Sequence, residues 1–188
     1  MALNKTPYWI CNILSEQGPV QLRSIDSKSL LVQTTLFLMQ NTPLDVKGLV
    51  DSVCSRWAFI SCKLITQYGI ITQCMPSPCT LLLADGKVAD IITEYAILPV
   101  SIGCHNEYCL FFITNLADDT PVIFGLPWLK WHNPYINWMN MSLTFNSWYC
   151  TWYCHPPGCS SPTAAPTIPN PPWSFHDLPI PGEPALSN

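Results

Sequence analysis

Residues 122–138 read VIFGLPWLKWHNPYINW. Val122-Ile123-Phe124 is a short apolar strand that runs into Gly125. Leu126 to His132 fits one or two helical turns. Asn133-Pro134 ends them, because a residue that precedes proline is pushed out of the helical region. Tyr135 to Trp138 then resumes an extended pattern. A strand, a very short helix and a strand in such close succession belong to a domain built mainly of short strands.

The chain on either side has the same character. Leu30 to Leu38 is rich in β-formers, Asn41-Thr42-Pro43 is a turn, and Val46 to Val50 is the next strand. Ser61 to Tyr68 fits a short helix, with Gly69 placed to cap its C-terminus. Pro76 to Cys79 reads as a loop. Thr80 to Leu83 and Val88 to Ile97 flank Ala84-Asp85-Gly86-Lys87, and apolar runs joined at Asp-Gly are a strong hairpin signal. Leu98 to Ile102, Tyr108 to Thr114 and Ser142 to Phe145 are further strands. The expected fold is all-β with one or two short helices, over residues 30–147. Residues 1–29 are expected to form an N-terminal extension. Residues 148–188, first rich in cysteine and then in proline, are expected to form a disordered linker or tail.

Composition narrows the partners. The chain has 188 residues and a net charge of −4, and its eight basic residues are scattered singly. No basic stripe exists to track a phosphate backbone, so nucleic acid is not an expected partner. The longest apolar stretch, Leu30 to Met39, is interrupted by Gln33-Thr34-Thr35 and is too short to span a bilayer, so no membrane partner is expected. No secretory signal pattern opens the sequence, and the ten cysteines are therefore expected to be thiols in an intracellular, cytoplasmic setting.

One acid stands out. In Gly48 to Ser61, GLVDSVCSRWAFIS, the apolar pair Leu49-Val50 leads into Asp51-Ser52, and Ala58-Phe59-Ile60 follows a polar gap. Taken in order, Leu49 to Ser52, the Ala84 to Lys87 hairpin tip, Leu98 to Gly103 (LPVSIG) and Val122 to Trp138 resemble the retropepsins. These are the retroviral-type aspartic proteases, and the resemblance is nearest to those of Gypsy-class LTR retrotransposon gag-pol polyproteins. It covers roughly residues 30–155 and implies a small closed acid-protease β-barrel that works as a C2 homodimer on a polypeptide substrate. Asp51 would be the catalytic carboxylate of each subunit, and Ser52 would brace the two loops against each other. Ala84, Asp85, Gly86 and Lys87 would form the flap, and Gly125 would let its strand pack closely behind the Asp51 loop. No cofactor is implied.

The loop departs from the family pattern of Asp-Ser/Thr-Gly. Val53 stands where glycine is usual and Arg56 where a small residue is usual. A β-branched side chain in a sharply turned loop is expected to be strained by roughly 1–3 kcal/mol, and an arginine beside the acids to favour their ionised form. Asp26-Ser27 lacks the apolar lead and is followed by Lys28. Two readings follow: an aspartic peptidase impaired by Val53 and Arg56, or a non-enzymatic descendant that serves dimerisation or protein binding. Cys150-x3-Cys154-His155-x3-Cys159 fits no common zinc-finger spacing and is read as an exposed cysteine-rich tail, so no metal is expected. His132 is read as a helix C-terminal residue.

Overall fold

The computed structural model describes residues 21–25, 28–82 and 86–154. Its strands are β1 (Gln21–Arg23), β2 (Leu31–Phe37), β3 (Pro43–Val50), β4 (Ala58–Ser61), β5 (Gln73–Leu82), β6 (Val88–Ile102), β7 (His105–Thr114), β8 (Val122–Phe124), β9 (Tyr135–Asn137) and β10 (Ser142–Thr144). Two short helices, α1 (Cys62–Tyr68) and α2 (Leu126–His132), follow β4 and β8. A single π-helical turn covers Cys150–Cys154.

The main sheet runs β2-β3-β8-β4-β7-β6-β5, and a further pairing of β2 with β6 joins its ends. Six strands therefore close into a barrel, while β5 stays outside the ring on β6. Closure removes the open edges that a flat sheet of this size would leave. β2 shows the alternation that one buried face demands, with Val32, Thr34 and Leu36 inside. β7 is flanked by β6 and β4 and is buried almost end to end.

The long β6 replaces two expected strands, 88–97 and 98–102, and carries Pro99 within it. Its lower half pairs with β5 as far as Tyr95, and Val100-Ser101 pair with β2. Pro99 falls where one neighbour gives way to the next, so no second ladder needs its missing N–H. The expected loop at Pro76 to Cys79 is likewise part of a strand. The β5 register slips between Cys74, opposite Glu94, and Cys79, opposite Ile92. Prolines that cannot donate are absorbed by that irregularity on a strand with only one neighbour.

A second sheet, β1-β10-β9, draws on chain that the sequence analysis left outside the domain. Gln21 to Arg23 pair with Thr144 to Ser142. Gln21 Nε2 donates to Ser142 Oγ at 2.9 Å across 121 residues of sequence. At the other end Cys150 and Cys154 are buried, which corrects the reading of both as exposed tail residues. Asp26, Ser27 and everything from His155 onward, Cys159 included, lie outside the described residues.

Gly69 takes φ +59° at the end of α1, and its N–H bonds the Ile65 carbonyl. A Cβ there would meet nothing within 4 Å, so only the backbone conformation opposes a side chain. Gly69→Ala is expected to cost about 1 kcal/mol, measured by urea unfolding. An unchanged midpoint would show that the left-handed cap is not held.

Candidate active site

Asp51 follows directly from β3. The strand lies parallel to β8, with Val50 opposite Phe124, and the Asp51 N–H donates to the Phe124 carbonyl at 2.9 Å. The chain then turns. Asp51 Oδ1 accepts the N–H of Val53 at 2.9 Å and that of Cys54 at 3.3 Å. One carboxylate oxygen thus holds the loop that carries it. Asp51 is half-buried, while Ser52 and Val53 are exposed at the loop tip.

The loop is clamped from behind. Gly125 N–H donates to the Trp57 carbonyl and Leu126 N–H to the Cys54 carbonyl, both at 2.8 Å. A Cβ on Gly125 would lie 1.9 Å from the Arg56 carbonyl oxygen and 2.9 Å from that of Cys54. Gly125 has φ −95° and ψ −179°, a backbone open to any residue. Close approach, and not conformation, requires glycine here.

Val53 is not among the residues with positive φ. The backbone strain expected from valine at this position is therefore not present in the protomer. Its side chain is 82% exposed and points away from the packed barrel. Arg56 is half-buried, and among the described residues no ion pair joins it to Asp51. Burial pushes the Cys54 thiol up from its ordinary pKa, although a backbone hydrogen bond from Arg56 opposes this. The cysteine nearest the acid is thus kept from being a thiolate nucleophile.

The flap residues are only partly described. Leu82 pairs with Val88 in the β5–β6 hairpin, Gly86 has φ +81°, and Gly86 and Lys87 are exposed. Ala84 and Asp85 lie outside the described residues. Both strands of the hairpin are largely exposed near its tip, so it stands clear of the barrel core. A surface depression lined by Asp45, Lys47, Lys63, Tyr68 and Asp118 does not include Asp51. No helix among the described residues is long and apolar enough to cross a membrane.

A family model described as the PEG10/RTL1 protease domain matches residues 47–154. The chain belongs to this family. It therefore carries a retropepsin-like domain of retrotransposon origin, and the matched segment spans the Asp51 loop, the hairpin, α2 and the 150–154 turn. Among solved structures, the retroviral protease-like domain of Ddi1 from Leishmania major is 18% identical. That match covers 62% of this chain and 91% of that one, with a TM-score of 0.40. A retropepsin-like aspartic protease from Rickettsia conorii is 16% identical over 68% of this chain and 89% of that one, with a TM-score of 0.43. The family assignment stands on the family model and not on these distant likenesses.

Two polar residues that the sequence analysis passed over belong to the core of this domain. His105 and Glu107 open β7, two residues apart and so on one face of the strand. A His-x-Glu pair leading into an otherwise apolar strand was the available signal. Glu107 accepts the Trp128 indole N–H at 2.6 Å, which ties α2 to the barrel directly after Gly125.

Proposed function

We propose that the chain is a retrotransposon-derived aspartic peptidase-like domain, of Gypsy-class gag-pol descent, in which two copies each supply Asp51. The observation that carries this reading is the Asp51 carboxylate, tied through Oδ1 to the Val53 and Cys54 N–H groups on a loop clamped behind by Gly125. Two carboxylates a few ångströms apart cannot both ionise, so one keeps a proton and the other activates water for attack on a peptide carbonyl. Among the described residues one loop of this kind occurs, so in this reading the second carboxylate comes from another copy of the chain. Ser52 would brace the loops, and the hairpin through Ala84, Asp85, Gly86 and Lys87 would cover the substrate and exclude water.

A second reading, a non-enzymatic domain for dimerisation or protein binding, is favoured by one observation. The Val53 side chain stands exposed beside Asp51, at the tip that would meet its symmetry mate. In a dimer its methyl groups crowd the dyad, although they strain nothing in the protomer.

The purified chain, incubated near pH 5 with a mixed peptide library, tests both. Weak cleavage that disappears in Asp51→Ala, and that rises roughly tenfold in Val53→Gly, is the expected result; such a gain corresponds to about 1.4 kcal/mol of relieved crowding at the dyad. Cleavage that persists in Asp51→Ala would remove Asp51 from the chemistry. If Val53→Gly is as inert as the parent while sedimentation shows a dimer, the non-enzymatic reading holds.

A further inference from the structure

Four side chains distant in sequence converge in the core beside α2. His105 begins β7, His132 ends α2, and Cys150 and Cys154 are the first and last residues of the π-helical turn. One ring nitrogen or thiol sulfur from each lies within 4.8 Å of all the others, and all four residues are buried. Neither cysteine is in a disulfide. His132 Nδ1 stands 3.6 Å from Cys150 Sγ and 3.9 Å from Cys154 Sγ. Around a tetrahedral zinc with Zn–S of about 2.3 Å and Zn–N of about 2.0 Å, a nitrogen–sulfur edge measures roughly 3.5 Å. Two edges of the cluster are already near that length.

The far side of both rings carries a second, independent observation. His105 Nε2 lies 3.3 Å from Glu107 Oε1, and His132 Nε2 lies 3.1 Å from Glu107 Oε2. A carboxylate behind an imidazole holds the proton on the nitrogen it faces and leaves the other nitrogen as the ligand. For His132 that other nitrogen is Nδ1, the one that faces both thiols. A single buried carboxylate therefore lies behind both imidazoles, hydrogen-bonded to His105 and in electrostatic contact with His132, and Trp128 fixes the carboxylate in turn.

We propose that His105, His132, Cys150 and Cys154 form a structural zinc site, with Nδ1 of each histidine and the two thiolates as ligands. Two sulfurs and two nitrogens in a tetrahedral set suit zinc. Four protein ligands close the coordination sphere, so the site is structural and not catalytic. Its effect is to fasten the 150–154 turn to the end of α2, whose N-cap is the Gly125 that clamps the Asp51 loop. The metal thereby makes the last described turn part of the scaffold behind the candidate catalytic acid. Binding displaces the thiol protons, so affinity falls as pH is lowered.

The test uses the full chain, purified without a histidine tag from zinc-supplemented medium. Elemental analysis after extensive desalting is expected to find zinc stoichiometric with protein. Replacement by cobalt is expected to give the visible bands of tetrahedral thiolate coordination. Cys150→Ser and Cys154→Ser abolish both signals, Cys62→Ser leaves them intact, and Glu107→Gln lowers zinc affinity roughly 10- to 100-fold. Should the serine variants fail to fold, the parent chain decides alone through stripping and cobalt titration. A parent that holds no more zinc than background and shows no thiolate-to-cobalt bands overturns the proposal. So does zinc that persists undiminished in a folded Cys150→Ser, Cys154→Ser double variant.

Discussion

Gly125→Ala is expected to destabilise the domain by about 3–5 kcal/mol, among the largest effects of any single methyl in this chain. The added Cβ would fall 1.9 Å from the Arg56 carbonyl oxygen, far inside contact distance. The obstacle is backbone, so no rotamer change relieves it. The loop from Asp51 to Trp57 must move off the strand, and with it go the hydrogen bonds from Gly125 to Trp57 and from Leu126 to Cys54. Each lost buried bond leaves a desolvated carbonyl, at about 1–3 kcal/mol apiece. Gly48→Ala is the matched comparison. Its Cβ would meet the Phe124 ring and the Thr34 hydroxyl at 2.7 Å, and both are side chains rather than backbone. That variant is expected to lose only about 1–2 kcal/mol. Chemical unfolding of the two side by side checks the argument; a Gly125→Ala loss at or below that of Gly48→Ala would mean that the loop is not clamped.

Glu107→Ala is expected to be as damaging, at about 3–5 kcal/mol. Glu107 is buried, and its partners are the Trp128 indole and the two imidazoles. Burial alone would raise its pKa, but the charge of His132 and the contact with His105 outweigh burial and hold the carboxyl below its usual range. The 3.1 Å approach of His132 Nε2 does not meet hydrogen-bond geometry, so that contact is chiefly electrostatic. Removing the carboxylate takes a shared acceptor from the Trp128 indole and from His105, and the facing charge from His132. Glu107→Gln separates the contributions. An amide oxygen can still accept from Trp128 and His105, while its NH2 faces His132 Nε2 and favours the tautomer with the proton on Nδ1. That variant is expected to keep most of the stability, at a loss of about 1–2 kcal/mol, and to place a proton where the zinc would bind. Thermal unfolding of both variants, with and without added zinc, reads the two effects apart. Equal losses for Ala and Gln would show that the carboxylate charge matters more than its hydrogen bonds.

Local chemistry explains what was legible in the sequence. The helix at 62–68 and its glycine cap follow from residues within a few positions of one another, as does the end of α2 at Asn133, which takes φ 42° before Pro134. The strand that presents Asp51 is legible for the same reason, and the order of motifs along the chain pointed to the family. Val53 marks the limit of that reasoning. A loop pattern implied strain, whereas the protomer accepts valine with an ordinary backbone, because the residue lies at an exposed tip where nothing packs against it.

By itself, then, the sequence determined the strand-rich class, the two short helices and the acid on its loop, since each depends on contacts between near neighbours. Tertiary structure alone decided that β2 meets β6 to close the barrel, that Gln21–Arg23 joins the strand at Ser142–Thr144, and that His105, His132, Cys150 and Cys154 share one buried place. No spacing rule reaches those four residues, because the ligands come from a strand start, a helix end and a later turn. Only the closed barrel and the packing of α2 upon it bring them within reach of one ion.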